Sequence, residues 1–343
     1  MKHLLPQVDR YFKTALHCHT NISDGGPNPQ EMKEIYKSKG YQVLSITDHN
    51  IIVDHSAMNE EDFLLLTGAE YNINEDNTWA ARRFWVKTYH LNFIAKRPDL
   101  LWQPFVPKHP KDESRHYLEK VEDGGFPWVY DLDNINAMIA VANKQGFLVM
   151  YNHPNWSLQD HTDYEGLEGL WGMEICNYDS GRNGSLDRDN SRIYREMVNT
   201  GKNLFPVASD DAHSANGAGG GWIMVGAEKL EYGAVIEAME KGDFYASTGP
   251  EIFELAMDGQ ELCIRCSDAS AITVVCGLRI APRLKPTAPD KLLRGGRIDM
   301  SKWFEFCQTG DERNQNRTWF RVIVHGPYGD YAATRAFWFD ELQ

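Results

Sequence analysis

Short apolar runs and helix-period stripes follow one another along most of the chain. In "TALHCH", which starts at Thr14, alternate positions of an extended run share a face, so His17 and His19 fall on one side and Cys18 packs behind them. A helix is predicted next. Asn28 is a good N-cap, Pro29 fits the first helical position, Glu31 stands where a capping box needs it, and Met32, Ile35 and Tyr36 form an apolar stripe that stops at Gly40. "YQVLSITDHN" then reads as a strand ending in Asp48 and His49, completing a βαβ unit. The pattern recurs. "FLLLTGAEY" ends on Glu70, "RFWVKTYHLNFIA" carries His90, and "GFLVMYNHP" reaches His153 after the helical segment "LDNINAMIAVANKQG". "LWGMEICNY" carries Glu174, and "NLFPVASDDAH", after the helical "DNSRIYREMVNTG", ends in Asp210, Asp211 and His213.

These are seven predicted strands, most followed by a helix or long loop, with carboxylates and imidazoles at or near their ends. In β/α barrels and open α/β sheets alike, the site is built from the loops beyond those ends. Seven ends that must converge on one point favour a closed or nearly closed barrel. From about Glu251 the helical pattern stops. "IFELAMDGQELCIRC", "AITVVCGLRI", "SKWFEFCQ", "TWFRVIVHG" and "RAFWFDEL" are short runs separated by turn residues, which predict a small antiparallel sandwich, with "GLRIAPRLKPTAPDKLLRGG" as its longest linker. The expected organisation is therefore α/β, with a barrel over residues 1–250 and an all-β sandwich over residues 251–343.

Composition adds exclusions. Lys and Arg number 35 against 49 Asp and Glu, a formal charge of −14, which disfavours a nucleic-acid backbone or an anionic membrane as partner. It does not exclude a small anion, because bound cations reverse the field inside one pocket. "MKHLLPQVDR" lacks the apolar run of a signal peptide, and no stretch approaches the roughly 18 uncharged residues of a membrane span, so a soluble, cytoplasmic protein is expected. The six cysteines are scattered rather than framed for disulfides. "CIRC" looks like a zinc half-site, but its odd spacing in a strand puts Cys263 and Cys266 on opposite faces, and no second pair follows.

The convergence of strand ends singles out six of the 12 histidines, namely His17, His19, His49, His90, His153 and His213. His55, His109, His116, His161 and His325 are read as surface or satisfied histidines, since nothing places them at strand ends. With Asp24, Glu70 and Asp211, the six imidazoles are too many donors for a single tetrahedral ion and suit two or three first-row divalent ions. Glu70 could bridge two of them through its two oxygens. "NYDSGRNG" places Asn177, Tyr178 and Arg182 just past a strand end. Arg182 is the candidate phosphate clamp, with Asn177 beside it as a substrate contact, although the same stretch is strong turn chemistry. The Pro- and aromatic-rich insertion between His90 and His153 is read as a partial lid.

In order, HxH (His17, His19), SDG (Asp24), TDH (His49), GxE (Glu70), His90, NHP (His153) and DxH (Asp211, His213) resemble the polymerase and histidinol phosphatase (PHP) family of metal-dependent hydrolases, over roughly residues 10 to 250. The resemblance implies a distorted seven-stranded β/α barrel holding two or three Zn, Mn or Fe ions. It implies that His17, His19, Glu70 and Asp211 hold one ion, that Glu70, His90 and His153 hold a second, and that Asp24, His49 and His213 hold a third. Asp48 would orient a ligand, and Glu174 would support the set from behind. The implied chemistry is hydrolysis of a small phosphorylated substrate by hydroxide held between two cations, with Asp211 or His213 as proton shuttle. "GDFYASTGPEI" resembles the branch of the family that includes carbamate and carboxyl-ester hydrolases and often carries a C-terminal β-domain, so a carboxyl ester or carbamate is the alternative substrate. A metal-binding scaffold without catalysis is the second alternative. The β-domain is read as structural support or an oligomer contact.

Overall fold

The computed structural model describes the chain except residues 77–84, 108–109, 289 and 311. All seven expected runs form strands, at Tyr11–Ala15, Val43–Ile46, Leu64–Asn74, Thr88–Ala95, Phe147–Tyr151, Gly172–Asn177 and Phe205–Ser209. Arg83 and Phe84, expected at the start of the His90 run, lie outside the described residues. The seven are consecutive neighbours in one large mixed sheet, starting at Phe205–Ser209 and running back to Tyr11–Ala15. Most pair in parallel. Thr88–Ala95 is antiparallel to both its neighbours. Its pairing with Leu64–Asn74 is a hairpin ladder, which Glu75 extends by donating its N–H to the Lys87 carbonyl at 2.9 Å.

The reversal has a functional consequence. His90 is near the start of its strand rather than past its end, and the antiparallel direction returns it opposite Asn72, at the end of the sheet where the parallel strands finish. Glu70 likewise lies inside a strand that continues to Asn74. Between the ends of the run, the segments just past Tyr11–Ala15 and Phe205–Ser209 meet. The Asp211 N–H donates to His17 O at 3.0 Å and the His19 N–H donates to Ala212 O at 2.9 Å.

The helices follow their sequence signals. Pro29–Ser38 carries the expected capping box between Asn28 and Glu31 and buries Met32 and Tyr36. Leu132–Gln145 is capped by Asp131 and ends at Gly146, whose φ of 108° is the left-handed conformation glycine adopts without strain. Ser191–Val198 buries Ile193, Tyr194, Met197 and Val198. The strands Trp222–Gly226 and Phe244–Ser247, with the helix Tyr232–Lys241 between them, had no counterpart in the sequence reading.

The C-terminal part is built from two sheets. Ile252–Asp258, Glu261–Ala269 and Leu293–Asp299 join Lys2–His3 in a separate four-stranded antiparallel sheet. Ala271–Cys276, Trp319–His325 and Tyr331–Ala333 instead extend the large sheet through Phe244–Ser247. Leu255, Leu262 and Ile264 of the first sheet share an apolar cluster with Ile272, Val274, Phe320 and Val322 of the second. One expected strand is corrected. "SKWFEFCQ" forms the helix Ser301–Thr309, because Trp303, Phe304 and Cys307 recur at i, i+1 and i+4 and are buried together on one helical face. "RAFWFDEL" is a strand only at Phe337–Trp338 and then closes in a single turn at Phe339–Leu342. Among the described residues no helix is long and apolar enough to cross a membrane.

Candidate metal centre

The donors reach one point because the strand ends turn sharply. His17 and His19 continue the Tyr11–Ala15 strand in extended register, and Cys18 between them faces away, into an apolar cluster with Met32 and Leu44. His153 and Asp211 have φ of 21° and 56°, unusual for residues with a side chain. Such conformations cost of order 1–3 kcal/mol each and cluster at functional sites. Gly25 follows Asp24 where a Cβ would stand 2.2 Å from the His19 carbonyl oxygen, so the "SDG" turn folds directly onto the HxH backbone.

The distances centre on Glu70, which is fully buried. Its Oε1 lies 3.3 Å from His17 Nε2, 2.9 Å from His90 Nδ1 and 3.2 Å from His153 Nε2. Its Oε2 lies 3.3 Å from His19 Nε2 and 3.1 Å from His49 Nδ1. Asp211 Oδ1 is 3.3 Å from His17 Nε2 and 3.1 Å from His19 Nε2, and the two Nε2 atoms are themselves 3.2 Å apart. On the outer side, Asp24 stands 3.4 Å from His213 Nε2 and 3.6 Å from His49 Nε2.

These spacings fit a metal better than a hydrogen-bond network. Four donors around an ion at about 2.0–2.2 Å stand about 3.3–3.6 Å from one another, close to the separations among His17, His19, Glu70 and Asp211. His49 Nδ1, Glu70 Oε2 and Asp211 Oδ1 are buried without a hydrogen-bond partner although they face other donors, which would carry the cost of unsatisfied polar atoms if nothing bound there. Four sets of donors come close enough to share an ion. They are His17, His19, Glu70 and Asp211; His49, Glu70 and His90; His19, Asp24, His49 and His213; and His17, His153 and Glu174. All nine expected ligands appear in these sets. The grouping differs from the expected one in that His17, His19 and His49 are each shared, and His153 falls with His17 and Glu174 rather than with Glu70 and His90.

The electrostatics are those of a crowded anionic cavity. Burial works against the Asp211 carboxylate, but His17, His19 and His153 outweigh it and hold its pKa well below the usual range. Asp24 is held low in the same way by His213, His49 and His19. Burial also disfavours a charged His19, yet the nearby Asp211 and Glu70 carboxylates lift it to about 10, and His153 is lifted to about 9 by Glu70 and Asp211. His49, dominated by burial and by His19, falls to about 3. Carboxylates in this cavity favour positive charge of any kind, and a divalent ion would supply it without protons.

Behind the donors stands a supporting layer. Glu174 Oε1 lies 2.7 Å from His17 Nδ1, which turns His17 Nε2 toward Glu70. Glu174 also accepts from the His153 N–H at 2.9 Å, from Asn177 Nδ2 at 2.9 Å and from the Ser209 hydroxyl. Asn152 donates to Glu70 Oε1 at 2.8 Å and to Asn92 Oδ1 at 2.9 Å. Asp48 accepts from the backbone N–H and hydroxyl of both Thr20 and Ser23, so it fixes the turn that carries Asp24. Asp210 accepts from the N–H groups of Gly219, Gly220 and Gly221 and anchors the following loop. Sequence reasoning missed Asn92, Asn152 and the anchoring by Asp210. The Asn in "NHP" and the triple glycine in "GAGGGW" were the available signals.

The expected substrate contacts have partners of their own. Asn177 Nδ2 reaches Asp211 Oδ2 at 3.2 Å as well as Glu174, so it sits among the supporting groups. Arg182 donates to Asp179 from Nε at 3.0 Å and Nη2 at 2.8 Å. A cavity of about 450 Å³ opens onto the centre, with Asp24, His49, His90, Asn72, Trp156 and Leu158 in its walls. The Trp156 ring stands edge-on to both His90 and His153, at 5.3 and 5.1 Å between centroids. From the insertion, Tyr117 and Leu118 pack on Ile22, Ile51 and Val53, which flank Asp24 and His49 in sequence.

Of the histidines set aside, His161 is exposed beside Asp160 and His116 packs on Tyr117. His109 lies outside the described residues. His55 is a correction, since it is buried and its Nε2 has no hydrogen-bond partner. Cys263 and Cys266 are both free, and the alternation of burial along their strand sets them on opposite faces.

No family model matches the chain. Among curated proteins it is 30% identical over 124 residues to a 5'-3' exoribonuclease of Haemophilus influenzae, a match that covers 35% of this chain and 43% of that protein, less than half of its length. Among solved structures it is similar to a two-domain protein of Bacteroides vulgatus containing a predicted PHP-like metal-dependent phosphoesterase, at 15% identity and a TM-score of 0.42 over 98% of both chains. It is also similar to an amidohydrolase of Chromobacterium violaceum, at 16% identity and a TM-score of 0.37 over 58% of this chain and 87% of that one. A lesion-specific endonuclease of Pyrococcus furiosus follows, at 11% identity and a TM-score of 0.39 over 82% of this chain and 65% of that one.

Proposed function

We propose that the chain is a metal-dependent hydrolase of phosphate esters. The observation that carries the reading is the convergence of six imidazoles and the carboxylates of Asp24, Glu70, Asp211 and Glu174, with three of their buried donor atoms unpaired. His17, His19, Glu70 and Asp211 would hold one divalent ion, Glu70, His90 and His153 a second, and Asp24, His49 and His213 a third. Bound Zn, Mn or Fe would supply Lewis acidity toward the ester and lower the pKa of a water molecule. The protein's own part is to hold these donors rigidly, with Glu174 fixing the tautomer of His17 and Asn152 fixing Glu70. Asp211 or His213 would carry the proton between the ester and solvent; His213, the most exposed of the six imidazoles and tied through Nδ1 to the Asp211 carbonyl at 2.9 Å, could do so only in a two-ion centre that leaves its Nε2 free.

The fold reading goes with this. The seven strands would make a distorted barrel over residues 1–250, a reading supported by the backbone bonds between His17–His19 and Asp211–Ala212, and residues 251–343 a sandwich, one sheet of which continues the large sheet. A phosphorus centre is preferred over a carboxyl ester or carbamate because the curated relative is named for cleaving a phosphodiester. Arg182 remains the proposed clamp for a phosphoryl oxygen, which requires it to exchange Asp179 for the substrate.

The test is release of p-nitrophenol by Mn-loaded protein from a phosphate monoester, a phosphodiester and a carboxyl ester in parallel. Turnover of a phosphate substrate is expected, and loss of it by at least ~1000-fold in Asp211→Ala and His17→Ala, on the scale of removing a main electrostatic group. Turnover of the carboxyl ester alone would replace the phosphoesterase reading. Full activity in either metal-reconstituted variant would sink the site.

A further inference from the structure

Away from the metal centre, a cleft of about 1060 Å³ lies between the barrel segment that carries Tyr178 and Arg188 and the face of the large sheet formed by its C-terminal strands. The sheet register explains the space. Across three strands Arg283 pairs with Thr273 and Thr273 with Ile323, while Ala271 pairs with His325, so small side chains pave the floor between basic ones. Lys285 follows Arg283 at the same alternation and lines the same cleft. His325, Ile323 and Arg321 share one face of their strand by the same period of two.

The charge in this cleft is opposite to that of the molecule. In a chain of net charge −14, the cleft gathers Arg188, Arg283 and Lys285, and among the described residues none of them makes an ion pair. Arg188 has only the Tyr178 ring, 5.3 Å from its guanidinium. The two carboxylates present accept from backbone amides, Asp189 from the Ser191 N–H at 3.0 Å and Asp330 from the Tyr328 N–H at 3.1 Å, and the three cations outnumber them by one. One row behind His325 and Ile323, Arg321 is 2% exposed, its Nη1 has no hydrogen-bond partner, and its charge is offset by the Tyr194 ring at 4.6 Å and by the Asp189 carboxylate. A buried guanidinium that forms no direct ion pair among the described residues is costly, and it biases the adjoining surface toward anions.

We propose that this cleft is a second binding site, for an anion bearing two or more phosphoryl groups. Cations on both walls, Arg188 on one and Arg283 with Lys285 on the other, suit phosphoryl groups spaced along one ligand, and the exposed Tyr328 and half-buried Tyr178 offer rings to a base or other planar group. The assignment stands apart from the reaction at the metal centre, whose ligands line none of this cleft.

The experiment uses the full chain and its Arg283→Gln/Lys285→Gln double variant, both in the same metal state. Binding of inorganic pyrophosphate, a nucleoside triphosphate and a short single-stranded oligonucleotide is measured by calorimetry at two salt concentrations. Both substitutions are on the surface, so p-nitrophenyl turnover and the thermal midpoint are expected to stay at wild-type values. At least one probe is expected to bind the wild type, and at least tenfold more weakly the double variant, with a reduced salt dependence. The probe that binds tightest identifies the source of the phosphoryl groups. Absence of binding to the wild type, or equal binding by both proteins, would overturn the proposal.

Discussion

At the scale of the residue, five of the six imidazoles were legible because each sits where an apolar run ends, while His90 stands inside its run, near the start of the strand Thr88–Ala95. The supporting groups were harder to read. Asn92 lies in the middle of "TYHLNFIA", where its amide donates to the Leu16 carbonyl at 3.0 Å across the sheet, and nothing local in the sequence announces such a partner. Glu174 was visible as a carboxylate in a strand, but its contact with His17 spans 157 positions and only the fold brings the two together. Its role gives a sharp expectation. Glu174→Gln keeps the shape but weakens the acceptor that orients His17, so affinity for a divalent ion should fall by about 10–100-fold, measured by competition with a chromophoric chelator. Unchanged affinity would mean that Glu174 is there for packing.

At the scale of the element, the signals that worked were local and chemical. Asn28, Pro29 and Glu31 specified the start of a helix, and the structure has both halves of the capping box. Replacing Asn28 with Ala should cost about 1 kcal/mol, seen as a lower denaturant midpoint with an unchanged slope, because one orphan N–H loses its acceptor. The signals that failed were those where one composition serves two periods. "SKWFEFCQ" satisfies a loose alternation, yet Trp303, Phe304 and Cys307 share one buried helical face, and no β-branched side chain stiffens the run before Thr309. The direction of the His90 strand was also invisible, since a period of two is the same read either way. Its reversal is nevertheless what returns His90 to Glu70.

At the scale of the whole molecule, the sequence suggests a boundary near residue 250, where the alternation of strand and helix gives way to short strand-like runs, although one of those runs is the helix Ser301–Thr309. The structure shows how firmly the two sides are joined. Ala246 and Ser247 pair with Ala333 and Ala332, and Lys2 and His3 pair with Met257 and Ala256, so each part completes a sheet of the other. Calorimetric unfolding should therefore give one cooperative transition, and two separated transitions would show that the shared strands contribute little to coupling. The long-range pairings were illegible because register between distant strands depends on shape rather than on any motif. The reading of the whole as a metal-dependent hydrolase rests on the donors around Glu70, and the most direct measurement is the number of divalent ions held per chain, counted by native mass spectrometry for the wild type and Glu70→Ala. Two or more ions in the wild type, and loss of at least one in the variant, are predicted. A wild-type chain that binds none after incubation with Zn, Mn or Fe would contradict the account.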